Sequence, residues 1–154
     1  DLLLPFYCQF FIGSDTGLTL LPILNRKKIA YTNFFNINNI NKTTENMIPI
    51  ILPKKIKKIS TNKLIKFSEI FKKKLNEVLY EEDLRVMGYE TVSNSSSEIY
   101  FLVSEMFKIF KKDVNKYSKL QKKFWNIFKK YYAFSPRNVK ISDNFLKKNR
   151  DLIK

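Results

Sequence analysis

Three short apolar runs lie near the start of the chain, and small polar residues close the first and the third. Cys8 to Ile12 is nearly unbroken apolar sequence stopped by Gly13, the pattern of a strand buried on both faces. After a Ser14–Gly17 turn, Leu18, Leu21 and Leu24 fall on one face of a short helix, provided that it starts late enough to accommodate Pro22. Ile29 to Thr32, β-branched and aromatic, predicts a second buried strand. Strand, turn, short helix, strand is the rhythm of a parallel α/β sheet.

Further along, the Asn-rich stretch 35–46 predicts a loop, and Met47–Leu52 a short extended segment bounded by Pro49 and Pro53. The lysine run from Lys54 to Lys66 reads as a solvated surface. Phe67 to Leu79 predicts a helix with Phe67, Ile70, Phe71, Leu75, Val78 and Leu79 on one face. Gly88 breaks the chain, and Tyr89–Val92 fits a small edge strand. The clearest local signal is Ser95-x-x-Glu98, a capping box, because the Ser oxygen takes a backbone donor and the Glu reaches back to the cap. Ile99, Leu102, Val103, Met106, Ile109 and Phe110 then recur at helical spacing. Tyr117–Tyr132 predicts another helix with Leu120, Phe124, Ile127, Phe128 and Tyr131 inward, interrupted at Ser135-Pro136, and Ser142–Ile153 a short terminal one.

Composition narrows the chemistry. The chain has 154 residues, 44% of them hydrophobic, enough to bury a core. Its formal charge of +15 invites a polyanion partner, either nucleic acid or an anionic membrane. Yet the basic residues are nearly all Lys, and Lys, Asn, Ile, Phe and Tyr are the residues of A/T-rich codons, so coding bias accounts for much of the charge. Without any His, imidazole general-base catalysis and His metal ligation are unavailable within the chain, and the single Cys8 forms no internal disulfide. No metal constellation is expected, and no apolar run approaches the roughly 20 residues of a membrane helix. The start, DLLLPFYCQFF, lacks a Met and a basic leader and reads as the middle of a longer polypeptide.

The candidate chemistry sits in Gly13-Ser14-Asp15-Thr16-Gly17. In an open parallel sheet, ligands lie beyond the carboxyl ends of the strands, where loops lead into helices. A turn of small residues exposes backbone N–H groups there, and the helix that follows adds a partial positive end suited to phosphate. Gly13 and Gly17 permit close approach or unusual dihedrals. Ser14 and Thr16 add hydroxyls, and Asp15 can cap the helix or accept from a sugar hydroxyl. A tight turn with Asp15 or Thr16 as helix cap has the same composition, so the motif alone does not choose. Thr32 and Asn33 close the next strand and bring small polar groups to the same expected crevice.

FFIGSDTGLTLLPILNRKKIAYTNF resembles the C-terminal half of glycosyltransferases encoded in bacterial surface-polysaccharide gene clusters. The similarity continues through Ile51-Leu52-Pro53-Lys54, Phe67-Ser68-Glu69-Ile70, GYETVSNSSSEI and the tail QKKFWNIFKKYY…SDNFLKKNRDLI; Lys27-Lys28 departs from the family's pattern. The resemblance implies a Rossmann-like parallel sheet with flanking helices, the donor-binding half of a GT-B enzyme over 1–112, with C-terminal helices over 113–154. It implies Gly13, Ser14, Asp15, Thr16 and Gly17 at the donor diphosphate or sugar, Thr32 and Asn33 in the same crevice, and Glu69 at a ribose or sugar hydroxyl. No cofactor and no metal are implied; the nucleotide-sugar is a substrate, and the partner is a glycan or lipid-linked acceptor. No catalytic base is assigned. Cytoplasmic placement is expected; Lys108, Lys111, Lys112, Lys129 and Lys130 could hold the chain at the inner face of the cell membrane, although a solvated polar face under coding bias has the same composition. The competing expectation is a basic RNA-binding module with Phe71, Tyr117, Trp125, Tyr131 and Tyr132 as stacking residues; on the glycosyltransferase reading no nucleic acid is expected.

Overall fold

A computed structural model describes residues 3–40, 46–112, 117–133, 136 and 138–154. The chain is α/β. Strands β1 (Phe10–Gly13), β2 (Lys28–Phe34) and β3 (Ile50–Pro53) lie side by side, and a late strand, β7 (Lys140–Ile141), joins beyond β3. All three pairings are parallel, in the order β1-β2-β3-β7. Between β3 and β7 the chain builds a second, antiparallel sheet of β4 (Lys55–Lys58), β5 (Lys63–Leu64) and β6 (Tyr89–Val92), with β4 in the middle. The helices are α1 (Leu4–Tyr7), α2 (Leu20–Leu24), α3 (Phe67–Lys72), α4 (Glu81–Val86), α5 (Ser96–Lys112), α6 (Lys119–Lys129) and α7 (Asp143–Lys148).

Where sequence and structure agree, the cause is local. β2 is buried because Ile29, Ala30, Tyr31, Thr32 and Phe34 are covered from both sides. The expected capping box opens α5, since Ser95 Oγ accepts from the Glu98 amide (3.2 Å) and Glu98 Oε2 accepts from the Ser95 amide (2.7 Å). Leu102 and Met106 then face the core. A second capping box, Ser118 with Gln121, starts α6.

Several expectations need correction. β1 is half-buried rather than enclosed, because it is the edge of the sheet, and it begins at Phe10 instead of Cys8. Thr16 and Gly17 lead into a 3-10 turn (Gly17–Thr19), so α2 starts late as Pro22 demands, but its inward residues are Pro22 and Ile23. Leu18 and Leu24 are 71% and 76% exposed. The helix expected to run to Leu79 ends at Lys72, and Lys74 turns the chain at a left-handed φ of 54°. Nor is Lys54 to Lys66 wholly solvated: it makes β4 and β5, buries Ile56 and Ile65, and pairs Lys55 with Glu98. Residues 140–141, read as part of a helical tail, complete the parallel sheet. In α6, Gln121 and Trp125 point inward with Phe124 and Phe128, while Tyr131 lies outside the helix and is exposed. The loop expected over 35–46 and the break at Ser135-Pro136 lie partly outside the described residues.

Aromatic packing joins the helices beyond β3. Phe67 and Phe71 of α3 meet Phe124 of α6 edge to face (ring centroids 5.0 and 5.8 Å), and Phe128 stacks on Tyr132 at 4.4 Å. Trp125 donates its indole N–H to the Val139 carbonyl (3.1 Å), which ties α6 to the entry of β7. Phe71, Trp125 and Tyr132 are thus core, not a stacking surface. Among the described residues, no helix is long and apolar enough to cross a membrane.

Candidate ligand-binding cleft

The carboxyl ends of β1, β2 and β3 open onto one cleft of about 590 Å³. From the loop after β1 come Ser14, Asp15 and Thr16; from β2 and beyond come Asn33, Phe35, Asn36 and Asn39; Lys54 follows β3. The facing wall is Val78, Leu79, Tyr80 and the first turn of α4, with Thr91 and Ser93 from the end of β6. This is the place where parallel sheets hold ligands, because strand ends diverge there and loops supply polar groups.

Four of the expected residues, Ser14, Asp15, Thr16 and Asn33, therefore meet in one hollow. The others do not line it. Gly13 is the last residue of β1, and a Cβ there would lie 2.7 Å from the Phe11 ring, so its small size serves that contact. Gly17 has open space around its Cα, and neither glycine adopts the left-handed φ that favours Gly. Thr32 is buried within the sheet. Glu69 sits on α3, where Lys73 Nζ donates to it (2.7 Å) and Tyr89 Oη lies at 3.4 Å. The hydrogen bond from Lys73 holds its carboxyl below the usual range. The segment after the loop is a 3-10 turn and a five-residue helix, too short for much of the dipole that the sequence suggested.

Lys54, Asn36, Phe35, Tyr80 and Glu81 escaped sequence reasoning. Lys54 was within its reach, because it follows the third parallel strand as Ser14 and Asn33 follow the first and second. Its ammonium has no ion pair among the described residues. Glu81 stands out afterwards as part of the acidic run Glu81-Glu82-Asp83 in a lysine-rich chain. Its carboxylate accepts from Thr91 Oγ1 (2.9 Å), which fixes it against the wall. Tyr80 is 66% exposed at the rim.

The cleft is chemically two-sided. Donors are Lys54 and the hydroxyls of Ser14 and Thr16; acceptors are Asp15, Glu81 and Asn36. Asn36 Oδ1 is buried and has no hydrogen-bond partner among the described residues, an acceptor that a ligand N–H or O–H would satisfy. Burial raises the pKa of Asp15, and its charge in turn helps to raise Tyr31, whose own burial is the larger cause. Phe35, Val78, Leu79, Tyr80 and Leu84 provide an apolar and aromatic lining. An anionic group, several hydroxyls and a flat ring would each find a complement. Among the described residues, no group of His, Cys, Asp or Glu is placed to hold a metal ion.

No family model matches the chain, and no curated protein or solved structure matches it either.

Proposed function

We propose that this chain is the donor-binding part of a GT-B type glycosyltransferase that transfers a sugar from a nucleotide-sugar to a surface-polysaccharide or lipid-linked acceptor. The convergence of three parallel strand ends on one two-sided cleft, lined by Ser14, Asp15, Thr16, Asn33 and Lys54, carries the proposal. In it the diphosphate meets Lys54 and the hydroxyls of Ser14 and Thr16. Glu81, Asp15 and Asn36 accept from ribose, sugar or base, and the base lies against Phe35 and Tyr80. As the glycosidic bond breaks, negative charge accumulates on the leaving diphosphate, so donors aimed at it stabilise the transition state more than the ground state. Asp15, kept less acidic by burial, suits a hydroxyl partner better than a phosphate.

Titrating ¹⁵N-labelled protein with uridine and guanosine diphosphates tests the reading. One of them should shift the amides of Ser14–Gly17, Asn33 and Glu81. Ser14→Ala with Thr16→Ala should then weaken binding about tenfold or more, as expected when hydrogen bonds to a charged group are lost. If neither nucleotide perturbs the cleft at millimolar concentration, the proposal fails.

One feature favours the second reading, a basic RNA-binding module. The outer face of α6 presents Lys119, Lys122 and Lys123 along a groove of about 490 Å³, with Lys130 and Tyr131 just past its end. Binding there would weaken steeply with salt and show no preference for a nucleoside diphosphate. The burial of Phe71, Trp125 and Tyr132 leaves that groove few rings on which bases could stack.

A further inference from the structure

β2 ends irregularly. Its register against β3 shifts between Tyr31 and Phe34, and within that interval Asn33 takes a left-handed φ of 48°. Asparagine tolerates this conformation better than most residues, yet it is uncommon and concentrates at functional sites. What holds it is Asn94, 61 residues later in sequence, in the segment between β6 and α5. The two residues clasp each other: the Asn33 amide donates to Asn94 Oδ1 (2.6 Å), and the Asn94 amide donates to Asn33 Oδ1 (2.7 Å). Asn94 Nδ2 donates to the Pro53 carbonyl (2.9 Å), so Asn94 also grips the end of β3.

This arrangement settles the orientation of both amides. A backbone N–H only donates, so the branch of Asn33 that meets it must be the oxygen, and the other branch must be the NH₂. Asn94, buried, uses both its side-chain oxygen and its nitrogen in the clasp. Asn33 uses only its oxygen; its Nδ2 has no partner among the described residues, and the residue lines the cleft.

We infer that Asn94 is a positioning residue of the cleft, which locks Asn33 so that the two Nδ2 hydrogens of Asn33 serve as donors to an anionic oxygen of the ligand. The inference rests on the cleft being a diphosphate site. Locking matters because a free asparagine would lose side-chain rotamer freedom on binding and could present its oxygen, which repels phosphate, equally well. With Asn94 in place, the donor is preorganised in the cleft that Lys54, the residue after Pro53, also lines.

The test uses the nucleoside diphosphate that the wild-type chain binds, with inorganic pyrophosphate as a second probe. Asn33→Gly suits the left-handed backbone and removes the side chain; it should weaken both probes about tenfold. Asn94→Ala, which frees the Asn33 N–H and the Pro53 carbonyl and so loosens the backbone amide that orients Asn33, should weaken them by up to a similar factor. The double variant should lose about tenfold in all, rather than the product, because the two residues act as one unit. In the wild type the Asn33 side-chain amide should give a resolved NMR signal that moves on adding pyrophosphate; Asn94→Ala keeps the backbone N–H that Asn33 Oδ1 accepts from but loses the side-chain bonds that hold this N–H in place, so there the signal should broaden or shift and respond less to pyrophosphate. Unaltered binding by Asn33→Gly overturns the inference while leaving the diphosphate reading intact. A double variant whose losses multiply also overturns it, since Asn94 would then act through general stability. If the wild type binds neither probe, both readings fall together.

Discussion

Replacing Lys55 with methionine isolates a carboxylate inside the fold. Glu98 is 6% exposed, and Lys55 Nζ reaches both its oxygens at 2.9 and 3.1 Å from β4, where the lysine side chain is itself only 12% exposed. Burial is the largest influence on Glu98 and works against ionisation; the bonds from Lys55 and Ser95 outweigh it, so the carboxyl sits below its usual range. Removing one partner of a buried pair costs about 3–5 kcal/mol. Because the Ser95 amide still donates to Glu98, the lower end applies, about 3 kcal/mol, which is a fall of roughly 6–12 °C in Tm for a domain of this size. Glu98→Gln keeps the Ser95 contact through its carbonyl oxygen and should cost about 1–2 kcal/mol. The double variant should lose less than the sum, because no charge is left stranded. The pH dependence fixes the sign. In the wild type the folded-state pKa of Glu98 lies below its unfolded value, so this contribution is complete above about pH 4.3 and is lost as pH falls through the folded-state pKa. In Lys55→Met, burial is opposed only by the Ser95 bonds, so the folded-state pKa of Glu98 is higher than in the wild type and acid relieves the buried charge sooner. The stability gap between wild type and variant should therefore be widest at pH 7 and shrink below about pH 5. Urea unfolding at a series of pH values measures it. A gap under about 0.5 kcal/mol at pH 7, or one that does not narrow in acid, would refute the argument.

Three further substitutions bear on particular contacts. Trp125 is the sole tryptophan, 2% exposed and bonded to Val139, so native fluorescence should be blue-shifted relative to the unfolded chain. Trp125→Phe should cost about 1–3 kcal/mol by orphaning that carbonyl, and an emission maximum typical of solvated indole would contradict the packing. Gly17→Ala should leave the unfolding midpoint unchanged or raise stability by about 0.4–1 kcal/mol, since the added methyl meets nothing and the unfolded chain loses freedom. Gly13→Ala should destabilise by about 0.5–1.5 kcal/mol through displacement of the Phe11 ring; equal midpoints for the two variants would show that the edge strand is looser than described.

What the amino-acid order determined by itself was local. The apolar run at Ile29–Thr32, the Ser95/Glu98 capping box and the helical spacing after it act within a few residues, so their consequences could be read directly. A parallel sheet followed from the strand–helix–strand rhythm, and with it the expectation that Ser14, Asp15, Thr16 and Asn33 gather at its carboxyl edge. Tertiary structure decided whatever depends on a distant neighbour. β7 is two residues long, below any periodic signal, and is a strand only because β3 offers it an edge. Lys55 looks like its solvated neighbours until Glu98 arrives from α5. Which side of α2 turned inward was settled by the sheet beneath it, and it turned Pro22 in while leaving Leu24 out. Glu81 and Tyr80 reached the cleft because α4 folds across to form its far wall, whereas Glu69, equally acidic, was carried to a lysine elsewhere. The clasp of Asn33 by Asn94 is the limiting case: each residue alone is an ordinary turn former, and their meaning arises from hydrogen bonds that close only when β2 and the start of α5 are brought together.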